Sequence, residues 1–440
     1  MQRFLLLLPL FMLPQLALAQ IPGLDPEQPL PVVDQPEDVT LLTTPVRIAQ
    51  IQVNGLKRTQ VAVVLRELPF KPGDTVDNET WQFARARLWN SALFDKVHAH
   101  LQPAAQPGQF IAVLTLEEIW TLNPLFSFGL GGNVGWLRVG ASDSNLLGRF
   151  LEAGAQYERF TQYNGFQTWV RNPRLLDQRL DWVLLVERLV RPRPDFADRR
   201  LRLATEFSGF LRQDRLRLSG KVEALYDVLL PPGGGDDANS LRDWSVLLEA
   251  GVRLGRIDTL RIRQHGVSLE VRSTYVMTDL QRASGFAQGW MEFLALHMLG
   301  ERWNLGLRVQ LGVQGDAPDF LRFYLGGLGQ IRGYIDNFAK TGRYALLNAE
   351  VRLIAFDSKW FSLVPTVFVD GAVAQSPPLA RFPHGGVQPM LSTGGGLRIL
   401  LPWMVKTGLR LDLALPLVDA KCPQGNALCP GLSVGVYQFF

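Results

Sequence analysis

Three side chains set the chemical question. Arg332 lies in the glycine-rich, otherwise mostly apolar stretch LGGLGQIRGYIDN, residues 325–337, and two acids follow it, Glu350 and Asp370. A guanidinium in such surroundings is costly unless a carboxylate receives it in a hydrogen-bonded pair. In YALLNAEVRL, Asn348, Glu350 and Arg352 share one face, opposite Leu347, Ala349, Val351 and Leu353. In TVFVDGAV, Thr366, Phe368 and Asp370 share a face, opposite Val367, Val369 and Val373. Glu350 and Asp370 therefore point to one side of what read as adjacent strands, where cross-strand neighbours meet. A loop folded inward lets Arg332 reach both acids as a buried, shared ion pair. A loop left in water outside makes the same charge worth almost nothing. Spacing alone leaves both arrangements open.

Other constellations carry less. GLSVG, residues 431–435, matches the nucleophile-elbow pattern. That motif needs a strand–turn–helix and a base downstream, but only five residues follow and none is histidine. His98 and His100 share a face of a short strand with no third ligand nearby, which reads as solvent exposure rather than a metal site. GLGGNVG, residues 129–135, has no helix after it and cannot cradle phosphate. Its glycines suit a weak, bendable strand instead. No enzyme activity, cofactor or metal is expected.

The elements that must position Arg332 belong to an exported chain. Residues 1–19 have a basic start at Arg3, an apolar run and a small-x-small end at Ala17-Leu18-Ala19, the pattern of a secretory signal peptide. Beyond it no run approaches the ~18 apolar residues of a spanning helix. Yet 47% of the residues are hydrophobic, so a large apolar surface exists without helical spans. The net charge of +4 is modest and mixed in sign, which argues against nucleic-acid binding. Cys422 and Cys429, in KCPQGNALCPG, read as one small disulfide in an oxidising compartment.

Residues 20–44 are proline-rich and acidic, an extended linker. A compact module follows over 45–120, with a strand in RIAQIQVNG, a helix in TQVAVVLREL, a turn at KPGDTVD and a second helix in NETWQFARARLWNSALF. Trp81, Ala84, Leu88 and Ala92 align on one face of that helix. Two strands, KVHAHL and FIAVLTLEE, complete a β-α-α-β-β unit. From residue 124 to 440 strand periods recur. Trp303, Leu305, Leu307, Val309, Leu311 and Val313 oppose Asn304, Gly306, Arg308, Gln310, Gly312 and Gln314. Leu409, Leu411, Leu413, Leu415 and Leu417 likewise oppose Arg410 and Asp412. A soluble sandwich can alternate too. Long successive strands with a charged polar face fit better to an antiparallel transmembrane barrel, apolar outward and polar to the lumen, of about sixteen strands. Connections after even-numbered strands are mostly short and several after odd ones are long, as a barrel with both termini in the periplasm requires.

Two resemblances follow. The Asn-Gly after the first strand, PFKPGDTVDNE, RLWNSALFDKV and LTLEE make residues 45–120 resemble a POTRA domain, the periplasmic polypeptide-transport-associated fold. The loop Ile331-Arg332-Gly333-Tyr334 resembles the signature of the BamA/TamA superfamily of outer-membrane assembly barrels, also called the bacterial surface antigen family. That resemblance implies a loop folded into the barrel, its arginine paired with Glu350 and Asp370, with Phe368 beside them. GASDSNLLGRF resembles the family's early strand turn. The family's Phe-x-Asp-x-Gly departs here to FVDGA, with Ala372 in the glycine's place. LSVGVYQFF resembles the C-terminal signal of such barrels through Ser433, Gly435 and Phe440, with Gln438 where an aromatic is usual.

The function expected on this basis is assembly, insertion or translocation of outer-membrane polypeptides. Clients would be captured on the POTRA strand edge. The barrel would open at a seam between its first and last strands, weakened by Gly129, Gly131, Gly132, Gly431 and Gly435 and closed by Phe440. The alternative is a passive diffusion channel, favoured by the polar lumen. Expected partners are outer-membrane lipid and lipopolysaccharide, unfolded clients in the periplasm, and accessory lipoproteins or periplasmic chaperones. The expected location is the bacterial outer membrane, with the POTRA domain in the periplasm.

Overall fold

The structure, a computed structural model, describes residues 42–91, 93–131, 133–211, 215–231, 240–260, 262–279, 285–358, 360–376, 386–400, 408–418 and 431–436. The signal-peptide and cysteine expectations, with Ala92, Gly132 and Phe440, fall outside these residues, as does the linker up to residue 41.

The first unit is a mixed sheet packed under two helices. Its strands are β1 (Val46–Asn54), β2 (Thr75–Val76), β3 (Phe94–Pro103) and β4 (Gln109–Glu118), in the order β2-β1-β4-β3. β1 runs parallel to β4, and β3 antiparallel to it. β2 was not expected. It pairs with Val46 and Arg47 after a turn in which Asp74 Oδ2 accepts the Lys71 N–H at 2.8 Å. Helix α1 (Val61–Glu67) is valine-rich and has no side-chain cap, so packing rather than propensity holds it, through Val63 and Val64. Helix α2 (Asn78–Asn90) starts where Asp77 Oδ1 accepts the Thr80 N–H at 2.8 Å. Its buried stripe is Trp81, Ala84 and Leu88, and the Trp81 and Phe70 rings stack at 6.1 Å.

The second unit is a closed antiparallel barrel of sixteen strands among the described residues. In chain order they are β5 (Leu122–Gly131), β6 (Val134–Leu146), β7 (Leu151–Phe160), β8 (Tyr163–Asn172), β9 (Leu180–Pro192), β10 (Ala197–Leu211), β11 (Leu216–Leu230) and β12 (Leu241–Leu260). Then come β13 (Arg263–Thr278), β14 (Phe286–Leu299), β15 (Trp303–Gln314), β16 (Arg343–Leu353), β17 (Ser362–Ser376), β18 (Gly386–Leu400), β19 (Gly408–Pro416) and β20 (Gly431–Val436). The barrel begins at Leu122, two residues before the expected boundary.

Its burial pattern inverts that of a soluble fold. Glu158, Glu187, Arg202, Glu223, Asp243, Gln310 and Asp412 are buried, whereas Phe126, Phe166, Leu203, Val222, Val267, Val367 and Leu413 are exposed. Charged groups inside and an apolar skin outside are stable only where lipid bathes the outer face. Among the described residues no helix is long and apolar enough to cross a membrane; the strands do so.

Ladder strength varies around the ring. β10 and β11 pair through fifteen residues each, without a bulge. At the closure, the register pairs among the described residues are Val434 with Leu130 and Gly435 with Gly129.

Candidate functional site

The connection between β15 and β16, residues 315–342, folds back into the lumen. A short pairing of Phe323–Leu325 with Ala339–Thr341 braces it. Ile331, Tyr334 and Phe338 pack with Trp290, Tyr344, Leu346, Ala372 and Met390 in an apolar cluster, so the aromatic side of the motif is driven inward by burial. Gly333 has φ +89°, and a Cβ there would stand 3.2 Å from both Ala414 Cβ and Pro416 Cδ. Only glycine takes that turn so close to β19 without strain.

Arg332 is 3% exposed and Asp370 is fully buried. Arg332 Nε donates to Asp370 Oδ2 at 2.6 Å and Nη2 to Oδ1 at 2.7 Å, a bidentate fork, while its backbone N–H donates to Oδ2 at 3.1 Å. Nη1 reaches Glu350 Oε2 at 3.3 Å. The guanidinium carbon lies 3.4 Å from the centroid of the Phe368 ring, a cation–π contact. Room for that ring comes from Gly394 on β18, where a Cβ would stand 2.6 Å from Phe368 Cζ. Asn348 Nδ2 donates to Asp370 Oδ1 at 2.9 Å and to the Gln330 carbonyl at 2.7 Å, tying the loop backbone to the same acid.

Sequence reasoning missed how far the network extends. Asp412 on β19 lies 3.8 Å from Arg332 and accepts from Arg398 Nη1 and Arg410 Nε, each at 2.5 Å. Glu350 accepts from Arg352 Nε at 3.2 Å and Arg398 Nη2 at 3.1 Å. Three acids thus hold four arginines across β16 to β19. Arg410 and Asp412 were visible on a polar face, but nothing local said that Asp412, two strands beyond Asp370, would approach the same arginine.

The other expected residues fall as follows. Gly129 and Gly435 face each other across the closure, and Gly131 ends β5. A Cβ at Gly129 would stand 2.5 Å from the Trp136 indole nitrogen, so that glycine makes space for a ring on β6. Ser433 sits inside β20 opposite Asp412 in register, with no turn or helix to raise it as a nucleophile. His98 and His100 are exposed, and among the described residues no group of three or more His, Cys, Asp or Glu could hold a metal.

A second set of contacts joins the two units. Glu67, buried at the end of α1, receives Arg174 Nε at 2.6 Å from the β8–β9 turn and Arg87 Nη2 at 3.2 Å from α2. Burial pushes the Arg87 pKa below its ordinary value. Asn145 Nδ2 donates to Thr59 Oγ1 at 2.8 Å, and Gln60 N to the Gly148 carbonyl at 2.9 Å. Gly148 has φ +68°, and a Cβ there would meet the Arg58 carbonyl oxygen at 2.0 Å. The NLLG turn is therefore a docking surface for the small domain. Arg58 also bonds Asp143 of β6, and the N–H groups of Arg58 and Thr59 donate to Glu118 at 2.9 and 2.6 Å. Partial burial raises the Glu118 pKa, but the bonds from Thr59 and the backbone of Arg58 and Lys57 outweigh it and leave the carboxyl below its ordinary value.

Comparison with known proteins agrees with this architecture. The profile described as the Omp85 superfamily domain matches residues 238–428, and that described as POTRA, surface antigen variable number repeat, matches residues 46–118. The chain is 24% identical to the outer membrane protein assembly factor BamA of Nitratidesulfovibrio vulgaris, over 66% of this chain and 38% of that protein. The match thus spans well under half of that relative's length. The crystal structure of BamA from Haemophilus ducreyi lacking POTRA domains 1–3 superposes with a TM-score of 0.67 at 14% identity, covering 89% of this chain and 84% of that one. CdiB from Acinetobacter baumannii gives a TM-score of 0.63 at 14% identity, covering 89% and 74% of the two chains. CdiB from Escherichia coli gives the same score and identity, covering 89% and 76%. The chain belongs to the BamA/TamA superfamily of outer-membrane assembly barrels, an outer-membrane β-barrel with its POTRA domain on the periplasmic side.

Proposed function

We propose that this protein assembles or translocates polypeptides at the outer membrane, working without cofactor or nucleotide and without enzymatic chemistry. The observation that carries the reading is the closure of the barrel at a register pair in which Gly435 of β20 faces Gly129 of β5. A ladder with glycine on both strands has no side chains to pack across that pair and is a cheap place to open, and the freed strand edges would offer unpaired N–H and C=O groups to an incoming strand. The POTRA sheet supports the first step. β2 and the turn before it cover Val46 to Ile48, leaving the β1 edge beyond Ile48, and the outer edge of β3, for an extended client segment. The driving force is the client's own folding, since a strand entering lipid must satisfy its backbone by pairing.

Arg332, held by Asp370 and Glu350, positions the loop against β16 to β19 while the neighbouring seam, beyond β19, yields. The partners in this reading are outer-membrane lipid, unfolded clients, and accessory lipoproteins or chaperones at the POTRA domain. Depletion of the protein in its native cell, followed by quantification of outer-membrane proteins, tests the reading. A subset of barrel proteins or exported polypeptides should fall in abundance. An unchanged outer-membrane proteome, with small-solute uptake lost instead, would identify a diffusion channel.

A further inference from the structure

The loop that carries Arg332 is held at a second place, on the far side of the barrel. β9 and β10 are the fifth and sixth strands of the ring, and β16 to β19 are the twelfth to fifteenth. The β9–β10 hairpin therefore stands about half the circumference from the arginine wall. Arg193, in that hairpin, donates from Nη1 to Asn337 Oδ1 at 2.5 Å, and its guanidinium lies 4.2 Å from the Tyr324 ring centroid. Asn337 Nδ2 donates back to the Pro192 carbonyl at 3.2 Å. Asn337 has φ +57°, a left-handed conformation that asparagine tolerates better than most residues. Lys340, almost fully buried, joins Asp195 of the hairpin at 3.5 Å to Asp319 of the loop at 2.7 Å. Arg200 Nη2 on β10 reaches the Phe320 carbonyl at 3.4 Å, and Phe320 and Leu321 pack with Leu225, Leu247, Val276 and Phe286 from β11 to β14.

Four residues separate Arg332 from Asn337, yet the two grip opposite sides of the ring. We propose that residues 315–342 are a tie across the lumen, anchored by Arg332 on one wall and by Arg193, through Tyr324 and Asn337, on the other. The second anchor keeps the lumen shut and limits how far the two halves of the barrel separate when the seam opens. Arg193 is a positioning residue: it acts on the loop and touches no client.

The test is ion conductance of the purified full chain in planar lipid bilayers, which reads the loop and is independent of any assembly activity. The variants are Arg193→Ala, Tyr324→Leu, Arg332→Ala and the double variant Arg193→Ala with Arg332→Ala. Heat-modifiable migration on gels reports that each barrel has formed. Release of either anchor should raise conductance several-fold over the parent, and release of both should raise it further. Arg193→Lys, which keeps a cation beside the Tyr324 ring, should recover part of the block. Should Arg193→Ala fail to fold, Tyr324→Leu carries the test alone. Parental conductance in the far-wall variants, beside a raised value in Arg332→Ala, would show that the loop is held from one wall only. Parental conductance in every variant would show that the loop does not bar the lumen at all. Either result overturns the proposal.

Discussion

The wall formed by β15 to β19 and the seam between β20 and β5 belong to one ring but are stabilised in opposite ways. The wall carries continuous ladders, an inserted loop, and three acids interleaved with four arginines. The seam, among the described residues, has two register pairs, with glycine facing glycine in one of them. A closed barrel has no free edge, so a machine that needs one must weaken a single ladder without loosening the rest. Buried ion pairs tie the strands of the wall to one another, as others tie the strands from β10 to β13. A buried ion network is costly to break because removing any member strands its partners, so the wall resists separation of its strands.

The sharpest way to break the wall is Arg332→Ala. Asp370, fully buried, would keep Asn348 as its remaining side-chain donor. An uncompensated buried charge of this kind costs about 3–5 kcal/mol. The barrel should still migrate in a heat-modifiable way, because its ladders do not depend on the pair. The loop should become protease-sensitive and assembly activity should be lost. The swap Arg332→Glu with Asp370→Arg should recover part of the loop's protection, incompletely, since Glu350 then faces a like charge. Full activity in Arg332→Ala would remove the wall from the mechanism.

Asp412→Asn probes the part of the network that local periodicity did not reveal. It leaves Arg398 and Arg410 short of an acceptor and should cost about 3 kcal/mol, read as earlier loop cleavage in limited proteolysis. A variant as resistant as the parent would confine the network to Glu350 and Asp370. Glu67→Gln addresses the docking of the small domain on the β8–β9 turn. Loss of the charge that Arg174 and Arg87 share should weaken docking by about 2 kcal/mol, seen as faster hydrogen exchange in α1 with the barrel unchanged. The smallest effect is one of pH. The Glu118 carboxyl has a folded-state pKa below its unfolded value of about 4.3, so its contribution is complete above that value and disappears as pH falls through the folded one. Exchange at the Arg58–Thr59 amides should therefore lose protection below about pH 4. A Glu118→Gln variant should lack the dependence.

Much of this was legible in the sequence because period-two alternation survives inversion. Trp303 to Gln314 reads the same whether the apolar face meets a core or lipid, and the charges opposite it decide between the two. Glu350 and Asp370 were legible as two acids on one face of neighbouring strands, but spacing left Arg332 inside or outside, and the resemblance of its loop to the BamA/TamA signature pointed to the lumen. Asp412 and Arg398 were not, because which lumen charges meet Arg332 depends on how far the inserted loop reaches across β16 to β19, and no local period records that. The link from Arg193 to Asn337 spans 144 residues and sits in a four-residue hairpin with no pattern of its own. The two-residue strand β2 is too short for any alternation to show.

The contrast between wall and seam is tested most directly by locking the seam. Leu130→Cys with Val434→Cys places two thiols at a register pair of β5 and β20, away from the Trp136 ring that fills the space over Gly129. Cross-linking this pair in folded protein, and assaying insertion or export of client polypeptides before and after reduction, isolates opening from folding. The account predicts that activity is abolished while the bond is closed and returns when it is reduced, with the barrel intact throughout. Undiminished activity with the seam locked would contradict it.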